Sequence, residues 1–490
     1  MKLRLFNTLS GQLDELGATN GGELRMYACG PTVYDYGHIG NFRTFLQVDV
    51  LRRFLKLTGN PIRHVMNITD VDDKIIRNAA ELGIPIGEYT PKFVNAFFED
   101  LDSLRVERPE FIARATEHIP KMVELIQRLE AEGAAYKTED GSWYFRLKSF
   151  PEYGKLSKKD LTGIEDGARV DVDEYEKDSA RDFALWKAVK PGETSWDSAI
   201  GRGRPGWHIE CSAMAMEYLG ESFDLHAGGE DLMFPHHENE IAQSETATRK
   251  PFARHWMHVR FLLVDGRKMS KSEGNYYTLR DLLLKGYKAS AVRMALISVP
   301  YRHQLNFTFD GLTEATNAID RLRTFRERLI KATLPDGVSE AMQAAAARAR
   351  EAYFAALAND LNTADARAPI FDLVRASNTA IDQGQFFAGD REAVLAVLKD
   401  FDAVFDVMED HDAEATEHAV KWAQQEGLEV SPELLARQGL SDAEIDALVG
   451  ERTQAKKQRN FARADQIRNE LAEKGVIIED SKDGVRWKRK

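Results

Sequence analysis

The stretch Arg25–Asn41, RMYACGPTVYDYGHIGN, decides the fold. Arg25 to Ala28 has the character of a short buried strand, and Cys29-Gly30-Pro31 must turn the chain. After Asn41 apolar residues recur at spacings of three and four, which indicates a helix. Those residues are Phe45, Val48, Leu51 and Leu55. A strand, a glycine-bearing turn and a helix in this order begin a Rossmann-like, doubly wound parallel α/β fold.

Polar residues follow two further predicted strands. Ile62–Ile68 runs into Thr69 and a run of aspartates, and Phe223–His226 runs into Gly228-Gly229-Glu230-Asp231. Ligands of open α/β sheets sit at the carboxyl ends of strands, so both places are candidate binding sites. Asp231 could accept hydrogen bonds from ribose hydroxyls or from an amine. The alternative for Thr69 is simple capping of the next helix.

Four residues suggest a metal site. The chain has only two cysteines, Cys29 and Cys211, and His236 lies four residues before Glu240 on a predicted helix. Residues four apart stack on one helix face. Two thiolates, an imidazole and a carboxylate make a plausible tetrahedral zinc set. Two buried thiols with no metal, and a purely structural zinc, are the alternatives.

Two motifs suggest phosphate binding. His38 lies beside the N-terminus of the first helix, where anions bind readily. A predicted strand, Val259–Val264, and a turn at Asp265-Gly266 lead to Lys268-Met269-Ser270-Lys271-Ser272. Two lysines in a glycine-flanked loop suit a mobile phosphate clamp. A turn histidine and an ordinary surface loop are the alternatives.

Composition sets the broad class. The chain has 490 residues, 43% of them hydrophobic, and contains no apolar run long enough to span a membrane. Two cysteines favour a reducing cytoplasm. The net charge of -13 disfavours non-specific binding of polyanions. A basic patch from Lys456 to Lys490, which includes Trp487, nevertheless suits contact with nucleic acid, with a solvated tail as the alternative.

The pattern along the chain predicts an interrupted α/β domain followed by helices. Short strand-like pieces and a charged stretch, Asp171–Asp182, indicate an insertion, and the polar stretch Asp410–Gly427 reads as a linker. The apolar stripe that starts at Leu312 predicts a bundle of helices. The predicted segments are the first half of the catalytic domain (1–134), the insertion (135–200), the second half with the zinc site (201–250), a region containing the lysine-rich loop (251–311), an all-α helical bundle (312–410) and a small basic C-terminal domain (428–490).

Together these motifs resemble the class I aminoacyl-tRNA synthetases, most specifically those that act on cysteine. HIGN at His38–Asn41 is similar to the HIGH signature of that family, and KMSKS at Lys268–Ser272 matches its second signature in full. The segments around Cys29, Cys211 and His236 resemble those that supply the zinc ligands in that branch. The resemblance covers essentially the whole chain and implies a single zinc ion held by Cys29, Cys211, His236 and Glu240.

The resemblance implies activation of L-cysteine by ATP, with Mg²⁺, and transfer of the cysteinyl group to tRNA(Cys) by a cytoplasmic monomer. We predict that His38, Lys268 and Lys271 are catalytic. The predicted ATP contacts are His38, Asn41, Asp231 and Lys271, and the predicted substrate contacts are Gly30, Thr69, Trp207 and Asp231. One departure from the signature is Asn41, which cannot carry a charge toward a phosphate but can donate a hydrogen bond and cap the helix.

Three other functions stay open at this point. A ligase could make the same adenylate and pass it to a small amine, although the long region after Lys271 argues against a small acceptor. An inactive paralogue could bind tRNA with a structural zinc, and the intact KMSKS argues against it. A zinc hydrolase would need an open coordination position and would leave KMSKS unexplained.

Overall fold

The computed structural model describes residues 2–159, 182–437, 442–481 and 484–489. All but the last residue of the predicted charged stretch Asp171–Asp182 lies outside these described residues. The strands are β1 (Leu3–Asn7), β2 (Gln12–Leu16), β3 (Leu24–Ala28), β4 (Ile62–Ile68), β5 (Phe111–Arg114), β6 (Ala135–Lys137), β7 (Trp143–Phe145), β8 (Phe183–Ala188), β9 (Gly203–Pro205), β10 (Phe223–Gly229), β11 (Ala253–Val259), β12 (Leu262–Val264), β13 (Arg267–Lys268), β14 (Leu305–Phe307), β15 (Val476–Ser481) and β16 (Gly484–Arg489). The helices are α1 (Ile39–Leu57), α2 (Asp73–Leu82), α3 (Ile86–Ser103), α4 (Ile119–Ala131), α5 (Trp207–Leu219), α6 (Glu238–Thr248), α7 (Leu279–Leu284), α8 (Ala289–Leu296), α9 (Phe309–Lys331), α10 (Glu340–Ala358), α11 (Thr363–Asp382), α12 (Arg391–Phe405), α13 (Asp412–Gln425), α14 (Pro432–Arg437), α15 (Asp442–Lys457) and α16 (Phe461–Glu473).

Five parallel strands form the central sheet in the spatial order β11-β10-β3-β4-β5. From the neighbouring strands β3 and β10 the chain proceeds in opposite directions across the sheet. This order is that of a doubly wound sheet, so the predicted α/β fold is confirmed. Parallel crossovers are right-handed, and the connections through α1 and α6 therefore lie on opposite faces. The crevice between the ends of β3 and β10 is where such folds bind ligands.

Helix α1 is the buried centre of this unit. Its apolar face packs under the sheet, and it also buries charged side chains. Asp49 of α1 accepts a hydrogen bond of 2.6 Å from Arg293, whose Nε donates to the carbonyl of Phe405 at 2.6 Å. A fully buried ion pair of this kind fixes the geometry of the elements it joins. Here the ion pair joins α1 to α8, and the same arginine links both helices to the end of α12.

The region from residue 135 to residue 205 contributes a separate antiparallel sheet, with the order β6-β7-β8-β9. Two of its cations reach the start of α2: Lys187 and Arg204 both pair with Asp73. Arg204 is buried and Asp73 is more exposed, so the contact lies at the edge of the small sheet. It attaches the small sheet to α2, which follows β4.

The helices that follow β14 behave as the spacing predicts. In α9 the buried residues are Leu312, Ala315, Ile319, Leu322, Phe325 and Leu329, which is the predicted stripe in full. Helices α11 and α12 pack with α9, and α10, α11 and α12 pack with one another. The predicted helical bundle is therefore present.

Two compact units account for the chain. The larger contains Met1–Thr278 and Ala291–Glu409, and the smaller contains Leu279–Ser290 and Asp410–Lys490. In the smaller unit α15, α16 and the β15–β16 hairpin share a core to which Trp487 contributes. The Trp487 Nε1–H donates to Asp446 at 2.7 Å, so this ring of the basic tail already has partners within its own domain.

The predicted linker at Asp410–Gly427 is wrong. The structure has helix α13 there, and its buried face consists of Asp412 and four small or branched residues. Those four are Ala415, Ala419, Val420 and Ala423. The many charges of this stretch occupy the exposed face, which is why the polar composition was misleading.

The predicted strand Val259–Val264 is also wrong, because the chain leaves the sheet in its middle. Strand β11 ends at Val259 and β12 begins at Leu262. Arg260, between them, uses its N–H to contact the carbonyl of Tyr301 and its carbonyl to accept from Arg43. Separately, among the described residues none of the helices is long and apolar enough to cross a membrane.

The assignment of α13 can be tested by burying a charge in it. We expect Val420→Asp to destabilise the smaller unit by about 2 kcal/mol or more, because the side chain of Val420 is fully buried and a carboxylate there has no partner. Thermal unfolding and limited proteolysis measure the effect. The matched control is Gln424→Asp, on the exposed face of the same helix. If both variants unfold like the parent chain, the segment is a solvated linker after all.

Candidate active site

A pocket opens beyond the carboxyl ends of β3, β4 and β10, where the strand order reverses. Most of the predicted site residues line it. They are Cys29, Gly30, His38, Asn41, Thr69, Trp207, Cys211, Asp231 and His236. Glu240 is not on the wall but contacts His236, and neither Lys268 nor Lys271 lines the pocket.

The four predicted metal ligands lie together. The donor atoms of Cys29, Cys211, His236 and Glu240 are all within 4.8 Å of one another, and all four residues are buried. Cys29 follows β3, Cys211 belongs to α5, and the other two lie on either side of the start of α6. His236 Nε2 is 3.1 Å from Glu240 Oε1, as the four-residue spacing predicts. Such a set suits a metal that accepts sulfur, nitrogen and oxygen.

The charges and pKa shifts of the four predicted metal ligands favour a bound cation. A hydrogen bond with Cys29 lowers the pKa of Cys211 to about 6, whereas burial raises the pKa of Cys29 well above its ordinary value. Burial disfavours a charged His236, yet Cys211 and Glu240 beside it raise the pKa of that imidazole to about 10. Glu240 Oε1 is buried and, among the described residues, has no partner with hydrogen-bond geometry, although His236 Nε2 lies 3.1 Å away. A bound metal ion would satisfy these groups, so the residues fit one.

A second set of donors overlaps the first. Cys29, His226, His237 and Glu240 also have ligand atoms within 4.8 Å of one another. His237 Nε2 lies 3.3 Å from the sulfur of Cys29, and His226 Nε2 lies 2.9 Å from Glu240 Oε2. Neither His226 nor His237 lines the pocket, whereas Cys211 and His236 do. Three residues of the predicted set therefore lie on the pocket wall, whereas the overlapping set has one there, Cys29.

Neighbouring histidines orient the predicted ligands. His208 Nδ1 is 2.9 Å from His236 Nδ1, which directs the Nε2 atom of His236 toward Glu240. His226 Nε2 lies 2.9 Å from Glu240 Oε2, so Oε1 is the oxygen of this carboxylate that faces His236. Partners of this kind fix the orientation of metal ligands in many sites. Glu238, adjacent in sequence, instead accepts hydrogen bonds from the backbone of residues 154–157.

Trp207 forms part of the wall above this set. Its ring stacks on His236 with centroids 4.3 Å apart and planes inclined by 27°. About a third of Trp207 stays exposed, at 37%. The indole therefore covers one ligand from the solvent side and offers an apolar surface to any small molecule in the pocket.

The floor of the pocket depends on a close approach of two strand ends. A Cβ atom at Gly30 would lie 1.7 Å from the carbonyl oxygen of Asn67, so no other residue fits there. Gly30 N donates to Asn67 Oδ1 at 2.8 Å, and Asn67 Nδ2 donates to Thr69 Oγ1 at 3.0 Å. Thr69 is thus held by its neighbours and faces the pocket, rather than capping the next helix, whose N-cap is Asp72.

His38 is the N-cap of α1, which begins at Ile39 and not after Asn41 as predicted. Asn41 N donates to His38 Nδ1 at 3.2 Å, and His38 N donates to Asn41 Oδ1 at 3.1 Å. Because Nδ1 accepts, the neutral ring carries its hydrogen on Nε2 and can donate it. Burial lowers the pKa of His38, which favours that neutral form. Asn41 therefore completes a capping box and fixes the tautomer of His38.

The KMSKS loop stands at the edge of the pocket. Lys271 Nζ lies 2.6 Å from Asp35 Oδ2 and 5.1 Å from the centre of the Tyr276 ring. Both Asp35 and Tyr276 line the pocket, so Lys271 reaches its rim while its side chain stays 66% exposed. Lys268 belongs to β13 and is exposed outside the pocket. The structure brings Lys271 near the site and does not bring Lys268 there.

Several residues of the site were not predicted. Asp35 and Tyr276 lie close in sequence to the two signatures, and that proximity was the available signal. The signal was weaker for three histidines: His226 and His258 lie within one residue of the end of a predicted strand, and His208 lies three residues before Cys211. The contacts of His226 and His258 with His237 depend on the pairing of β10 with β11 in the sheet.

Comparisons with known protein families cover most of the chain. Residues 16–317 match the catalytic domain of class I (C) tRNA synthetases. Residues 352–408 match the DALR domain, and residues 439–487 match the anticodon binding domain of cysteinyl-tRNA ligase.

Individual relatives match over the full length. The chain is 58% identical to a cysteine–tRNA ligase of Koribacter versatilis and 54% identical to one of Solibacter usitatus, in both cases over the whole of both chains. It is 45% identical to a cysteine–tRNA ligase of Chlamydia pneumoniae over 99% of this chain and 98% of that one.

Solved structures share the fold at low identity. Methionyl-tRNA synthetase of Mycobacterium tuberculosis with methionyl-adenylate superposes with a TM-score of 0.56 at 16% identity, covering 87% of this chain and 96% of that one. The LeuRS of an Agrobacterium radiobacter complex with tRNA superposes with a TM-score of 0.57 at 11% identity, and the match covers 82% of this chain and 86% of that one.

The close approach at Gly30 gives a prediction. Gly30→Ala should destabilise the protein by about 1–3 kcal/mol and distort the pocket floor, because the backbone of Asn67 must move to admit the methyl group. Thermal unfolding and the binding of a metal probe such as Co²⁺ measure both effects. Gly22→Ala is the control, since a methyl group there meets no atom within 4 Å. Equal behaviour of the two variants would contradict the geometry described for the floor.

Proposed function

The chain belongs to the cysteine–tRNA ligase family of class I aminoacyl-tRNA synthetases, and we propose that Cys29, Cys211, His236 and Glu240 hold a zinc ion that selects its substrate. As a member of this family it uses ATP to activate L-cysteine and charges tRNA(Cys). The alternative of a small-amine acceptor does not account for the anticodon-binding match at residues 439–487.

The observation that carries the proposal is the one-sided engagement of Glu240. Oε2 is occupied by His226, so the carboxylate offers a metal only Oε1. The protein then supplies four donor atoms, of which those of Cys29, Cys211 and His236 belong to residues on the pocket wall. A single carboxylate oxygen leaves room for a further ligand from the pocket side, where an ordinary structural zinc has none.

This arrangement addresses a selection problem. Serine differs from cysteine only by an oxygen in place of the sulfur, and shape alone separates such near-isosteres poorly. When bound, a zinc ion supplies a Lewis acid that takes a thiolate sulfur strongly and a neutral hydroxyl weakly. Trp207 and Thr69 on the pocket wall would hold the rest of the amino acid, with Gly30 and Asp231 nearby.

For the ATP step we assign the phosphates to His38 and Lys271. The Nε2–H of His38 belongs to a ring whose Nδ1 accepts from Asn41 N, and Lys271 lies on a loop at the rim of the pocket. The carboxylate of cysteine attacks the α-phosphate without a protein nucleophile, so these groups act by positioning and by stabilising charge. We assign Lys268 only a supporting role, because it lies outside the pocket. Asp231 lines the pocket, where a ribose hydroxyl or the substrate ammonium would reach it. Mg²⁺ accompanies the ATP.

The remaining assignments concern the partner and the setting. We assign tRNA contact to the helical bundle and to the small basic C-terminal domain. We propose a monomer, in which one chain supplies all four zinc ligands. Two cysteines without a disulfide support a reducing cytoplasm.

The zinc proposal is tested by separating the two sets of donors. Cys211 belongs only to the proposed set and His237 only to the overlapping one. We expect Cys211→Ser to lose its zinc, measured by metal analysis after gel filtration, and to lose cysteine-dependent ATP–pyrophosphate exchange. The reason is that a neutral hydroxyl replaces a thiolate ligand.

The matched variant is His237→Gln, which should keep its zinc. The reverse pattern, with zinc lost only from His237→Gln, would place the metal in the overlapping set. A Cys211→Ser protein without zinc that still activates cysteine and rejects serine would show that selection does not depend on the metal.

The assignment of Lys271 gives a second prediction. Lys271→Ala should lower the rate of ATP–pyrophosphate exchange by about 10²–10³-fold with little change in the KM for cysteine, because it removes a charge that acts on the phosphates as they react. Arg267→Ala, on the same hairpin and paired with Glu273, is the control. A rise in KM without a change in rate would remove Lys271 from the reacting phosphates.

A further inference from the structure

Arg43 is a fully buried cation that has no carboxylate partner in the part of the chain that the structure describes. It lies in α1, two residues after Asn41, and its side chain is inaccessible to solvent. Its Nε donates to the carbonyl of Arg260 at 3.0 Å, and its Nη2 donates to the carbonyls of His303 and Pro300 at 2.6 and 3.4 Å. Burial lowers the pKa of Arg43 to about 10, so the group stays charged at neutral pH.

The three carbonyls mark the base of the KMSKS hairpin. Arg260 connects β11 to β12, while Pro300 and His303 precede β14. Strand β12 pairs with β14 on one side and with β13, which ends at the first lysine of KMSKS, on the other. One guanidinium therefore holds both chain segments that enter this small sheet. One turn further along α1, Gln47 Nε2 donates to the carbonyl of Val299 at 3.2 Å.

The far end of the loop is held by the same helix. Ile39 N donates to the carbonyl of Tyr277 at 3.0 Å, and the backbones of His38 and Thr278 pair as an isolated antiparallel β-bridge. Both ends of the stretch that carries KMSKS are thus tied to α1, and the exposed residues between them include Lys271. The position of α1 therefore determines where the two ends of the loop that carries Lys271 are held.

Packing alone does not explain an arginine here. Burying a charged group without a counter-charge is unfavourable, and an apolar residue would fill the space without that cost. The planar fork of a guanidinium, however, can bind several carbonyl oxygens at fixed angles, which a lysine ammonium does not reproduce. By binding these carbonyls at fixed angles, the guanidinium sets the orientation of residues 260 and 300–303 relative to α1.

We infer that Arg43 is a positioning residue for the ATP-dependent step, which fixes the KMSKS hairpin relative to the helix that begins beside His38. The inference rests on the function proposed for His38 and Lys271, and it adds a residue that touches neither ATP nor cysteine. Arg43 acts through the placement of the hairpin, so its loss slows the reaction of bound substrates rather than weakening cysteine binding.

The test compares two buried arginines of the same helix. Arg43→Lys keeps the charge but loses the fork, and we expect the rate of cysteinyl-adenylate formation in a single turnover to fall by about 10–100-fold. The KM for cysteine and the zinc content should stay within twofold of the parent values. Arg52→Lys is the control, since Arg52 pairs with Glu107 and Glu110 and not with the hairpin. We expect it to lower thermal stability without slowing adenylate formation.

The amplitude of the single-turnover reaction distinguishes a misplaced hairpin from partial unfolding of the variant. Partial unfolding lowers the amplitude, whereas a misplaced hairpin lowers the rate at full amplitude. If Arg43→Lys does not fold, Gln47→Leu removes one contact to the same base and carries the test with the same expectation. Normal single-turnover rates at full amplitude would overturn the inference.

A double variant distinguishes this inference from the proposed function. If Arg43 acts through Lys271, Arg43→Lys combined with Lys271→Ala is no slower than Lys271→Ala alone. Losses that multiply would overturn action through the hairpin. A slow Lys271→Ala with a normal Arg43→Lys rejects only the inference, whereas a normal Lys271→Ala rejects the proposed role of Lys271 and the inference together.

Discussion

The structure around the pocket depends on burying two thiols, an imidazole and a carboxylate within one small volume. Such groups are unfavourable together in a low dielectric unless positive charge joins them. The sheet brings them there: Cys29 leaves the end of β3, while Cys211 and Glu240 come from helices packed together on a face of the sheet. Neighbouring histidines then restrict how each donor atom points. The reversal of strand order between β3 and β10 forms the crevice, and it also brings these four side chains together.

The sequence predicted the features that recur with a fixed spacing. The buried stripe of α9 follows from its apolar period, and His236 and Glu240 meet because four residues make about one helical turn. Helix α13 was missed since alanines form most of its buried face, and alanine carries a weak apolar signal beside many charges. The break after Val259 has no local signal, because the contacts that cause it come from Arg43 and Tyr301.

Other contacts in the site follow no sequence spacing, even where a residue lies close to a signature. Asp35 and Lys271 are 236 residues apart and meet only when the fold is complete. The overlapping donor set of His226 and His237 arises from the close passage of β10 and the turn before α6, and spacing alone does not reveal it. The resemblance of the signatures supplied the residues that we propose touch substrates, whereas the residues that orient them became visible only in three dimensions.

The contact between Lys271 and Asp35 affects how the nucleotide arrives and how its product departs. An ammonium that already has a carboxylate partner gains less from a phosphate than a free one, because one ion pair replaces another. In the role we propose for Lys271, the ammonium exchanges Asp35 for a phosphate when the nucleotide binds and returns to Asp35 when pyrophosphate leaves. The ion pair therefore reduces the net free energy that this lysine contributes to binding either phosphate compound.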